Sequence, residues 1–250
     1  MTGLLSLSGS EALLLTLIVI VAGIVRGFSG FALSALVMAS AIVILPPVEI
    51  IPICLILELA ASVLMARGGW QEADRSTVWG LVIGSTIGVP IGLAFTTSVP
   101  VETSKTVALF IIVVLAVMQL AKIRLTFLAT KPGLYGAGLT AGIATGLASV
   151  GGMVVALYVL SQDTKAAKMR AALVLFLFIS SLTTLISQLA FGVMDLTAFQ
   201  RGMIMAIPAL VGVKIGQRMF VPRLERFYRP FCLTLLTGLA VAGLIRTSMT

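Results

Sequence analysis

The chain has no histidine, only two cysteines, and only nine acidic side chains in 250 residues. Without an imidazole, a serine or cysteine nucleophile lacks its usual base, and metal sites built on that ring are excluded. Cys54 and Cys232 both sit in apolar segments, where they give neither a disulfide framework nor a zinc spacing. No glycine-rich loop runs into Lys-Ser or Lys-Thr, so the signature of an ATP-driven pump is missing. Charged residues make up 10% of the chain, too few to cover a water-soluble domain. These patterns imply no cofactor and no metal.

What the chain does have is hydrocarbon: 59% of residues are hydrophobic and the mean hydropathy is +1.16. Apolar segments fall near residues 11–25, 31–45, 48–66, 77–96, 105–121, 133–148, 151–161, 169–190, 199–217 and 230–246. Each is long enough to cross or half cross a bilayer as a helix. The expected fold is therefore all-α and polytopic, a single transmembrane domain over residues 1–250. The start of the chain lacks a basic stretch and a small-residue cleavage site, so no cleavable signal peptide is expected.

The net charge of +8 raises nucleic acid as a partner, but the basic residues lie in short loops between apolar segments. Arg67 and Arg75; Lys122, Arg124 and Lys131; Lys165, Lys168 and Arg170; and Lys214, Arg218, Arg223, Arg226 and Arg229 share one side. Lys105, Arg201 and Arg246 fall on the other. Membrane orientation explains this without nucleic acid, and it predicts both termini outside the cytoplasm.

Two stretches repeat half a chain apart. AGIVRGFSGFALSA (Ala22–Ala35) and AGIATGLASVGGMVVA (Ala141–Ala156) share their opening AGI, a glycine at the same spacing (Gly27, Gly146) and a short small-residue tip. Gly88-Val89-Pro90-Ile91-Gly92 matches Gly212-Val213-Lys214-Ile215-Gly216, and Val99-Pro100 matches Val221-Pro222, in the same order. Five segments per half is an odd number, so the halves enter the membrane from opposite faces. The expected repeats cover about 11–121 and 132–246, with re-entrant or broken helices at 11–45 and 133–161. Glycines four apart (Gly80, Gly84, Gly88, Gly92; Gly138, Gly142, Gly146; Gly212, Gly216) read as helix-packing faces.

Glycine-broken polar backbone inside lipid is tolerated only where protein buries it or a wet cavity receives it. Leu13 to Val25 is about 20 Å of helix, which would carry Arg26 deep into the membrane. Arg26, Gly27, Phe28, Ser29, Gly30 and Phe31 from the first tip, with Thr145, Ser149, Gly151 and Gly152 from the second, form the candidate site. Two half-helix N-termini and one guanidinium suit a small oxoanion as substrate partner. The alternative is that the first helix spans fully and Arg26 is an interfacial anchor. Glu58, alone in the middle of Val48 to Ala66, either pairs with Arg26 or titrates as a proton-coupling group. Lys214 reads as a snorkelling anchor, and Gln119 and Gln188 as interhelical hydrogen-bonding groups. Gly27-Phe28-Ser29-Gly30 has the GxSG form found around the nucleophile of intramembrane proteases, but the base is missing.

The paired motifs AGIVRGFSGFALSALVM and AGIATGLASVGGMVVALYVL, the loop LPPVEIIP, and the GVPIG and GVKIG segments resemble the TauE/SafE sulfite exporter family over essentially the whole chain. The resemblance implies transport of small sulfur-containing anions across the bacterial cytoplasmic membrane without a bound cofactor. Sulfite, isethionate, sulfoacetate and taurine-derived acids are the expected substrates. A passive anion channel and a carrier of small carboxylates are the alternatives. The commoner family pattern is richer in glycine at the first tip; here Arg26, Phe28 and Phe31 crowd it, which points to a fixed-charge oxoanion.

Overall fold

The computed structural model describes residues 7–65, 74–123, 130–160, 162, 166–219 and 225–248. Ten helices account for most of them: α1 (Gly9–Ser29), α2 (Leu33–Ala41), α3 (Pro47–Met65), α4 (Arg75–Ser98), α5 (Val101–Leu120), α6 (Lys131–Ala148), α7 (Gly151–Leu160), α8 (Ala166–Ala190), α9 (Leu196–Met219) and α10 (Glu225–Ser248). Six are long and apolar enough to cross a membrane. There is no strand among the described residues.

Local chemistry sets the helix ends. Ser8 opens α1 through a capping box with Glu11, satisfying two first-turn donors reciprocally. Gly30 closes α1 in the left-handed region (φ 81), its N–H returning to the Arg26 carbonyl at 2.9 Å. Ser149 takes the same role and conformation at the end of α6 (φ 56). In the repeat Gly30 and Ser149 are equivalent, so both halves break their first helix at the same residue. The helices that follow, α2 and α7, have 9 and 10 residues, about 14 to 15 Å, half the thickness of the hydrocarbon core. Pro47 then starts α3 at a position where a missing N–H costs nothing.

Glycine faces determine which helices meet. A Cβ on Gly84, Gly88 or Gly92 of α4 would sit 2.2–2.5 Å from a backbone carbonyl of α6, and one on Gly138, Gly142 or Gly146 would meet α4 in the same way. The seam of α1 with α9 is built alike, from Gly23 and Gly27 against Gly212 and Gly216. These two seams exchange roles between the halves, the first helix of one packing on the fourth of the other. The opposite faces match too. Trp79, Ile83, Ile87, Ile91 and Phe95 on α4, and Met203, Ile207, Val211, Ile215 and Met219 on α9, are exposed at four-residue spacing, as a lipid-facing stripe requires.

The pairings also give directions. Thr16 meets Met205, Gly23 meets Ala209 and Gly27 meets Val213, so α1 and α9 run parallel. Arg201, early in α9, meets Glu49, early in α3; Arg26, late in α1, meets Glu58 and Ser62, late in α3. Helices α4 and α6 are parallel to each other, and Ser149 at the end of α6 reaches the Ile51 carbonyl near the start of α3. Hence α1, α3 and α9 start on one face and α4 and α6 on the other, which is the geometry of an inverted pair. Arg201 is mostly buried within α9 rather than placed in a loop, and its ion pair with Glu49 ties the second half to the first.

Candidate anion-binding cavity between the halves

The Arg26 side chain is wholly buried. It lies one turn before the Gly30 cap, on the part of α1 that packs against α3, and its Nε is 3.1 Å from Oε2 of Glu58. Its Nη2 donates to the Ser62 hydroxyl at 3.0 Å. Nη1 has no hydrogen-bond partner among the described residues. The interfacial-anchor reading of Arg26 is thereby removed, since a guanidinium closed off by α3 reaches no headgroup. The carboxylate is held from its other side as well. Oε1 of Glu58 accepts from the Ser34 backbone N–H at 3.3 Å and from the Ser34 hydroxyl at 2.9 Å.

Ser34 lies in the first turn of α2, whose cap residue Ala32 supplies no side-chain bond. The positive end of this half-helix, where the sequence points to an anion, therefore holds one: the protein's own carboxylate. Cys54 adds a weak contact to the Ser34 carbonyl at 3.8 Å.

Beside this cluster lies a cavity with room for roughly two waters. Its wall includes Ser34 and Glu58 from the first half, and Thr145, Ser149, Gly151, Gly152, Ser180, Ser181, Thr184 and Gln188 from the second. Four of the candidate residues, Thr145, Ser149, Gly151 and Gly152, thus share one space with Glu58. Arg26 stands behind Glu58, outside the lining.

The remaining residues of the first tip have other tasks. Gly27 packs on Val213 and Gly216 of α9. The Ser29 hydroxyl donates to the Val25 and Phe31 carbonyls, both at 2.7 Å, and Gly30 caps α1. Phe31 is buried in the core, and Phe28 packs against it half-buried. The two tips are staggered rather than head to head. One docks on α3 at Glu58 and the other at Ile51, seven residues or about 10 Å along the helix.

On the α8 face Gln188 alone is singled out from the sequence, as an interhelical hydrogen-bonding group. Ser180, Ser181, Thr184 and Gln188 recur at three- and four-residue spacing, one polar stripe on an apolar helix, and that periodicity was the available signal. The Ser180 hydroxyl pairs with that of Ser85 at 3.1 Å. Gln188 and Thr184 are almost fully buried, yet neither polar atom of the Gln188 amide, nor Oγ1 of Thr184, has a hydrogen-bond partner among the described residues. Gln119, by contrast, bridges helices as expected, donating to the Met153 carbonyl at 3.1 Å.

No group of acidic, cysteine or histidine side chains suited to a metal occurs among the described residues. The profile of the family described as Sulfite exporter TauE/SafE matches residues 15–243. The chain belongs to the TauE/SafE family. Its membership makes it a multi-pass membrane protein of a transporter family, in keeping with its six candidate spans. Comparison with curated proteins and with solved structures returned no match. In this TauE/SafE protein the guanidinium and carboxylate beside the cavity offset each other, and the space itself is lined mainly by hydroxyl and other small side chains.

Proposed function

We propose that this TauE/SafE protein is a secondary transporter of small sulfur-containing anions, and that it carries them through the cavity between its two halves. Sulfite and short sulfonates such as isethionate, sulfoacetate or taurine-derived acids are the intended cargo. The observation that carries the reading is a fully buried guanidinium, balanced by one carboxylate, beside a polar space walled by both halves. Intramembrane charge that serves no function is rare because it is costly.

Arg26 supplies the positive charge, and Glu58 holds it in reserve. In this reading protonation of Glu58 releases Arg26 and the Ser34 N–H from their internal anion and leaves them free to attract the cargo, so that anion and proton move together. Among the described residues Arg26, Ser34 and Cys54 face Glu58 directly, the other polar groups of the cavity are hydroxyls and the Gln188 amide, and no second carboxylate lines it. On the same reading the protein lies in a bacterial cytoplasmic membrane, and the excess of Lys and Arg on one side supports both termini outside.

A thermal-shift screen of purified protein tests the substrate class, because a ligand that prefers the folded state raises its apparent stability. Sulfite or a sulfonate raises the melting temperature more than sulfate or small carboxylates at equal concentration. A carboxylate ranking first would reassign the cargo.

A further inference from the structure

The two halves treat their short helices differently. At the N-terminus of α2, Glu58 occupies the place where an anion is stabilised. Among the described residues, no acidic side chain takes that place at the N-terminus of α7. The repeat puts Thr145 where the first half has Arg26, and at the level of Glu58 on the third helix the second half has the hydroxyls of Ser180 and Ser181. The first-turn N–H groups of α7, at Gly151 and Gly152, have no intrahelical partner by the nature of a helix end. Both glycines line the cavity, with Gly151 packed close against Thr145 and the Ala141 carbonyl and Gly152 against Leu177.

A bare helix end is not by itself a site, and the second observation comes from α8. Thr184 and Gln188 line the same cavity at 2% and 0% exposure, with a hydroxyl and a complete amide unpartnered among the described residues. Buried polar groups are nearly always paired, and each exception calls for an explanation. Here three such atoms converge on one space with a helix N-terminus.

We propose that the α7 N-terminus, with Thr184 and Gln188, is the seat of the cargo's oxoanion group, occupying in the second half the position that Glu58 occupies in the first. The seat rests on the anion-transport reading and names its binding groups. Gln188 Nε2 and the Thr184 hydroxyl donate to two oxygens of the sulfite or sulfonate group, and the Gly151 and Gly152 N–H groups address the third. Ser149 closes the side nearest Ile51. The seat belongs wholly to the second half, whereas Arg26 and Glu58 belong to the first. Cargo and charge pair are thus brought together or parted as the halves move.

Gln188→Leu and Thr184→Val keep the side-chain volumes and remove the donors. Thermal shift by sulfite and by isethionate is measured on the full-length detergent-purified protein, with the melting temperature without ligand as the fold control. Each variant should bind about tenfold or more weakly than wild type. Gln188→Leu without ligand should melt at or above the wild-type temperature, because an unpaired amide has been replaced by an apolar group. A lower ligand-free melting temperature with unchanged affinity would make Gln188 a structural residue and overturn the seat. A wild-type shift that persists undiminished in both variants would overturn the seat and leave the transport reading standing. No shift in wild type with any anion would overturn both.

Discussion

Arg26 shows how far a single residue constrains the rest of the chain. Inside a membrane protein a guanidinium needs a partner, and Glu58 is the partner within reach. Removing one member of such a pair strands the other, which in buried pairs costs about 3–5 kcal/mol. Arg26→Ala or Glu58→Ala should therefore lower stability by that order in detergent unfolding titrations. The double variant Arg26→Gln with Glu58→Gln should recover most of the loss, since no charge is left unpaired. Additive losses would mean that the two residues act apart. Arg26 and Glu58 are legible in the sequence because each is a lone charge in an apolar run. Ser34 is not, since a serine in a membrane helix carries no signal until its neighbours are known. Gln188 is visible as a polar residue, but its unpaired amide appears only once α7 and α8 are placed together.

Among the elements, the glycine seams are the clearest test of packing. A Cβ on Gly142 would come within 2.3 Å of the Ser85 carbonyl, and backbone cannot move aside cheaply. Gly136, one and a half turns earlier on the same helix, has nothing within 4 Å. Gly142→Ala should destabilise by about 1–3 kcal/mol through forced separation of α4 and α6. Gly136→Ala should be neutral or gain up to about 1 kcal/mol from helix propensity. Thermal unfolding of the two variants in parallel measures the contrast, and equal effects would contradict the seam. Helix existence and order could be read from apolar segments and prolines, because segment length is set by the bilayer. The depth of the tips could not. The sequence set Arg26 about 20 Å along the helix from Leu13 but not what its tip would meet; the helix runs 21 residues, and the segment after it docks at Glu58, late in α3. Residues 66–73, 124–129, 163–165 and 220–224, with Arg67, Arg124, Lys165 and Arg223 of the predicted basic loops, lie outside the described residues.

At the scale of the whole molecule, two similar sets of helices meet in opposite orientation; the charge pair beside the cavity, Arg26 and Glu58, lies wholly in the first set, and Thr145 stands at the matching position of the second. That asymmetry suits a carrier in which one half holds the charge switch and the other receives the cargo. The matching order of the motifs was readable in the sequence; the cavity was not, because it depends on which faces of α3 and α8 the glycine seams leave turned inward. Proteoliposomes loaded with sulfite test the account as a unit. Glu58→Gln should still exchange labelled sulfite but no longer accumulate it along an imposed pH gradient. Most directly, wild-type protein should show saturable counterflow, taking up labelled sulfite from outside against unlabelled sulfite within. Single-channel current without counterflow would contradict a carrier built from these two halves.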